Sequence, residues 1–76
     1  MLKIRSLGSN QTELTIGQTL VLFSYQTPVV AYVPGRGWLR TREYYSRTTS
    51  KHINKWIGST YTIVSQSEIN SILVTA

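Results

Sequence analysis

Turn signals cut the first half of this chain into strand-length pieces, and that punctuation restricts the fold more than any other feature. Gly8-Ser9-Asn10, Gly17-Gln18, Gln26-Thr27-Pro28 and Pro34-Gly35-Arg36-Gly37 each combine residues that favour turns or tolerate positive φ. Between them the side chains alternate. Leu2 and Ile4 alternate with Lys3 and Arg5, and Gln11 to Ile16 alternates again with Leu14 and Ile16 inward. Thr19 to Tyr25 is nearly all apolar, β-branched or aromatic, as in a central strand, and Val29 to Val33 forms the next one. Trp38 to Tyr45 is then the return strand of a hairpin. Its alternation places Trp38, Arg40, Arg42 and Tyr44 on one face, with Leu39, Thr41, Glu43 and Tyr45 on the other.

The second half changes period. Thr49 to Ile57 is the best helix, with Thr48 or Thr49 as N-cap and Gly58 as its stop. Ile53, Trp56 and Ile57 make one apolar stripe, with Lys51 and Lys55 on the solvent side and His52 at the boundary. Tyr61, Ile63 and Val64 indicate one more short strand. Ser65-Gln66-Ser67-Glu68 is a capping box that opens a helix carrying Ile69, Ile72 and Leu73. The expected fold is a single α+β domain over residues 1–76. It is a small, mostly antiparallel sheet of four to six strands with two short helices, both covering one face.

Size limits what such a domain can enclose. At 76 residues, only about 60% of the unfolded chain's surface is buried on folding. One modest core is available and no deep cleft. Cysteine is absent, so disulfides and thiolate metal sites are excluded, and self-association into a homo-oligomer is the remaining common source of stability. The first residues carry charges at Lys3 and Arg5 and do not form a signal peptide. The apolar runs fall far short of the roughly 20 residues that span a membrane. A soluble protein of a reducing cytoplasm is expected.

Charge is the informative part of the composition. Eight Lys and Arg face three acids, for a net charge of +5, and six of those eight lie between Arg36 and Lys55. A local excess of this kind attracts polyanions and raises their encounter rate.

Catalytic signatures are missing. Without Asp or Cys, the Ser-His-Asp triad and thiol nucleophiles are excluded, and His52 with scattered glutamates has no zinc spacing. No cofactor motif is present, because the Pro34 to Gly37 turn lacks the Gly-Lys-Ser/Thr of a phosphate loop. The Trp38, Arg40, Arg42, Tyr44 face is the most specific arrangement, since guanidinium groups meet phosphates and aromatic rings stack on bases. Beside it, Ser46, Thr48, Thr49 and Ser50 surround a helix start together with Arg47, a ready setting for an anion.

Two blocks carry a resemblance: Ser24-Tyr25-Gln26-Thr27-Pro28-Val29-Val30-Ala31-Tyr32, and Tyr45-Ser46-Arg47-Thr48-Thr49-Ser50-Lys51-His52-Ile53-Asn54-Lys55-Trp56. The chain resembles small uncharacterised proteins of bacteriophages and mobile elements that carry a SYxTPVA strand and a YSRTTSKHINKW strand-to-helix block. The likeness covers residues 20–58 and leaves out the first strands and the last helix. It implies a phage accessory protein in the cytoplasm of a bacterial host, and it brings no reaction or catalytic residue with it.

The resulting expectation is a non-enzymatic binding module for nucleic acid or a nucleotide. Arg40, Arg42, Arg47 and Lys51 would contact phosphates, Trp38 and Tyr44 would stack, and Thr48 and Thr49 would donate at the helix start. The alternative is an inhibitor of a host bacterial protein that acts through a protein–protein surface.

Overall fold

The alternating segments close into one sheet in chain order. The computed structural model describes residues 2–75. Its strands are β1 Leu2–Gly8, β2 Gln11–Ile16, β3 Thr19–Ser24, β4 Thr27–Val33, β5 Gly37–Thr41 and β6 Thr62–Val64. Helix α1, Arg47–Trp56, lies between β5 and β6, and α2, Gln66–Thr75, follows β6. Strands β1 to β5 form an antiparallel meander, and β6 pairs with β5 in parallel across the α1 connection. The architecture is α+β, with a six-stranded, mostly antiparallel sheet and two helices.

The turns differ from expectation at one point. Tyr25-Gln26 turns the chain, with Tyr25 at φ 59, and Thr27 already begins β4. Pro28 therefore sits inside a strand. The register shows how this is tolerated: Leu22 faces Val30 while Phe23 faces Pro28, so Val29 is an extra residue in a bulge.

The two helices lie on opposite faces of the sheet, which corrects the expectation that both cover one. Val21, Ala31 and Leu39 pack with Ile69 and Ile72 of α2. Leu22, Val29 and Val30 pack with Ile53 and Ile57 of α1. Neighbours such as Val21 and Leu22 point to opposite sides of a strand, so each helix takes alternate residues of the same strands. This explains the near-continuous apolar runs of β3 and β4, whose two faces are both covered. Burying each such side chain contributes about 1.5–3 kcal/mol.

Both helix starts are moved or altered. Ser46, not Thr48 or Thr49, caps α1 by accepting from the Thr49 N–H at 3.1 Å, and Ile57 closes the helix before Gly58. Ser65 caps α2, accepting from the Glu68 N–H at 3.2 Å. The reciprocal half of that capping box is not made, because the Glu68 carboxylate pairs with Arg36 instead. Gln66 ties the helix to the sheet, donating to the Pro28 carbonyl at 2.7 Å and accepting from the Tyr45 hydroxyl at 2.8 Å.

Candidate nucleic-acid interface

Strand β5 places Trp38 and Arg40 on the α1 side of the sheet. Trp38 is half-buried against the Leu22, Val30, Ile53 cluster and stands opposite Tyr32 of β4. The two rings are tilted at 59°, with centroids 5.1 Å apart. Opposite Val30 lies Arg40, whose guanidinium sits over the Tyr61 ring at 5.4 Å. Tyr61 comes from the segment between α1 and β6. A short row of Tyr32, Trp38, Arg40 and Tyr61 results, assembled from both sides of β5.

The expected face does not run on to Tyr44. The Thr41 hydroxyl accepts the Glu43 N–H at 3.1 Å, a local bond that competes with the strand ladder and ends β5 there. Arg42 is still anchored by its N–H to the Val64 carbonyl at 2.9 Å. Tyr44 lies beyond it, exposed, in the segment leading to α1. Strand alternation therefore places Trp38 and Arg40, and leaves Arg42 and Tyr44 to the loop. In that same loop, desolvation first and the Glu43 carboxylate second raise the Tyr45 phenol above its ordinary value.

Helix α1 presents Arg47, Thr48 and Lys51 to solvent. Thr49 is different. It is buried, and its hydroxyl bonds the hydroxyls of Ser24 at 2.9 Å and Ser46 at 3.2 Å. Its role is to hold the helix to β3, which removes it from the residues that could meet a partner. His52 is also buried rather than at the surface boundary, and its Nδ1 shares a 2.7 Å hydrogen bond with Ser24 Oγ. Tyr25 and Trp56 flank the imidazole, with centroids at 6.3 and 5.5 Å.

Ion pairing leaves most of the free positive charge, apart from Lys3 of β1, in one stretch of the chain. Arg5 pairs with Glu13, and Arg36 with Glu68, which removes Arg36 from the basic group expected from Arg36 to Lys55. Among the described residues, Arg40, Arg42, Arg47, Lys51 and Lys55 form no ion pair. All of them belong to β5, α1 or the segment joining the two. Among the same residues, no three His, Cys, Asp or Glu side chains gather where a metal could be held.

Residues 2–71 match the model of a family of unknown function, DUF8033. The chain belongs to the DUF8033 family. No curated protein and no solved structure matches it.

Sequence reasoning missed two members of the row in this DUF8033 chain. Tyr32 was legible in principle: counting back across the Pro34 to Gly37 turn sets it opposite Trp38. Tyr61 was not, because its assignment to a short strand carries no partner, and it reaches Arg40 only through the α1 crossover. No helix of the described residues is long and apolar enough to cross a membrane.

Proposed function

We propose that this DUF8033 protein is a phage-type accessory binding module that holds single-stranded nucleic acid, or a nucleotide, against its β5–α1 side without catalytic turnover. The observation that carries this reading is that Arg40, without a carboxylate partner, lies over Tyr61 in a row with Trp38 and Tyr32, while the other unpaired cations follow in the adjoining chain from Arg42 to Lys55. Arg42, Arg47 and Lys51 supply charge to phosphates. Trp38, Tyr32 and Tyr61 offer π-faces to bases, and Arg40 is held among them by Tyr61. Tyr44, free of the strand, closes over a bound base from the loop.

The buried polar cluster supports binding rather than catalysis. A nucleophile must reach its substrate, and Ser24 is 1% exposed beneath α1. Its contact with His52 fixes the helix, and His52 has no described carboxylate to orient it as a triad histidine would be oriented. The bacterial cytoplasm is the setting implied by the phage resemblance.

The test is a fluorescence-anisotropy titration with a labelled oligothymidylate at 50 and 200 mM salt. Affinity is expected to fall steeply between the two, with a log–log slope near 0.7 per phosphate contact on a single strand. Labelled mononucleotide in a parallel titration distinguishes a strand from a single nucleotide. Undetectable binding of both at 50 mM salt refutes the reading. It would favour the alternative, an inhibitor of a host protein, whose interface is less sensitive to salt.

A further inference from the structure

At the other end of the strand order from β6, β1 is an edge strand, and its outer backbone donors and acceptors have no strand beside them. Its side chains sort by alternation. Leu2 and Ile4 face Ile16 and Leu14 of β2 across the pair. They belong to the side where Ile4, Thr12, Leu14, Phe23, Tyr25 and Gln26 line an apolar groove of about 280 Å³. Although apolar, they are 61% and 70% exposed. Lys3 and Arg5 project from the opposite side. Arg5 meets Glu13 at 3.2 Å, while Lys3 has no carboxylate partner among the described residues.

A lysine on an edge strand commonly serves to repel other strands. That accounts for Lys3 but not for two exposed aliphatic side chains beside an apolar groove. The charges instead discriminate between occupants. If β1 paired antiparallel with a second copy about Ile4, Lys3 of each chain would stand opposite Arg5 of the other. Centring the pair on Lys3 or Arg5 would set each against itself. Like charges directly opposite are destabilising, so a second copy is disfavoured in the registers centred on residues 3 to 5. A strand with carboxylates at alternate positions places one against the unpaired Lys3 and another where it shares Arg5 with Glu13, and its intervening apolar side chains extend the Leu2, Ile4 surface over the groove.

We propose that the β1 edge takes up, by strand addition, an extended segment of a partner protein in which acidic and apolar residues alternate. Main-chain hydrogen bonds supply affinity in this mode, and alternate side chains supply specificity. The inference is independent of the nucleic-acid reading, because β1 and the β5–α1 side lie at opposite ends of the sheet order.

The test uses two synthetic ten-residue peptides, one alternating Glu with Val and one alternating Lys with Val, titrated into the labelled full chain and followed by amide NMR shifts and hydrogen exchange. The Glu peptide is expected to shift and protect the amides of residues 2–7, and the Lys peptide to leave them unchanged. The double variant Lys3→Glu/Arg5→Glu should lose about tenfold in affinity for the Glu peptide, as two exposed charge contacts turn repulsive, and should gain the Lys peptide. Lys3→Gln, which leaves the Arg5–Glu13 pair in place, should weaken the Glu peptide by a smaller factor and guards against a folding artefact. Three outcomes overturn the proposal: Glu-peptide affinity within twofold after charge reversal, shifts confined to Trp38, Arg40 and α1, or concentration-dependent protection of β1 without peptide. The last would make a second copy the occupant.

Discussion

The two faces of the sheet are built by different means. On the α2 side the centre is aliphatic against aliphatic, Val21, Ala31 and Leu39 against Ile69 and Ile72, and the polar tie from Gln66 to the Pro28 carbonyl lies at the helix start. On the α1 side, an equally apolar centre of Leu22, Val29, Val30, Ile53 and Ile57 is bordered by buried hydroxyls and an imidazole, and by half-buried tryptophans. Hydrophobic contact is non-directional and fills space. The Ser46, Thr49, Ser24, His52 chain is directional, so it fixes where α1 sits on β3. Both faces supply stability, and the α1 face in addition positions residues whose other ends reach solvent, among them Arg47 and Lys51. That difference is why the proposed binding surface is assigned to the α1 side.

Core truncations probe the comparison with the largest effects. Leu39→Ala on the α2 side and Ile53→Ala on the α1 side should each cost about 2–5 kcal/mol, because both side chains are fully buried and leave cavities. Equal costs in urea melts would show that both clusters are true cores. A cost for Ile53→Ala below about 1 kcal/mol, against the usual range for such truncations, would mean that α1 is only loosely docked.

The polar chain comes next. Ser24→Ala leaves His52 Nδ1 and the Thr49 hydroxyl without their shared partner, and an unsatisfied buried polar group costs about 1–3 kcal/mol. The comparison sharpens if His52→Ala and Ser24→Ala prove non-additive in a double-mutant cycle, since residues of one network couple. Ser46→Ala removes the α1 cap and should cost about 0.5–2 kcal/mol.

The smallest effect concerns pH. A phenol whose folded value is raised contributes stability that is complete below its unfolded value and is lost as pH rises through the folded one. Alkaline unfolding should therefore gain a small component above about pH 10, the unperturbed tyrosine range. Tyr45→Phe removes that component together with the hydroxyl's bond to Gln66. An unchanged alkaline melting curve in Tyr45→Phe would assign the component to other tyrosines.

How much of this was legible in the sequence follows from the kind of interaction involved. The meander was readable because turn chemistry and period-2 alternation are local. The Val29 bulge was not: Pro28 looked like a strand breaker, and only pairing with Phe23 shows how the strand absorbs it. The faces taken by the helices were hidden because an all-apolar strand such as β3 offers both sides equally. In the site, Trp38 and Arg40 were placed correctly by alternation, while Tyr44 was misplaced because the Thr41 hydroxyl ends the ladder early. Thr49 looked like a free hydroxyl at a helix start, and its burial depends on Ser24, which is distant in sequence. Glu68 was assigned to a local cap, and its ion pair with Arg36 joins residues that no local pattern connects.

The central claim, that unpaired cations on the β5–α1 side bind a polyanion, is tested most directly by the salt dependence of exposed-residue variants. Arg42→Ala and Arg47→Ala, measured singly and together with labelled oligothymidylate, should each lower the log–log salt slope by about 0.7. Their melting temperatures should stay unchanged, because neither side chain is buried or ion-paired among the described residues. An unchanged slope in the double variant, with wild-type affinity and an intact fold, would contradict the account and move the binding surface away from this side of the sheet.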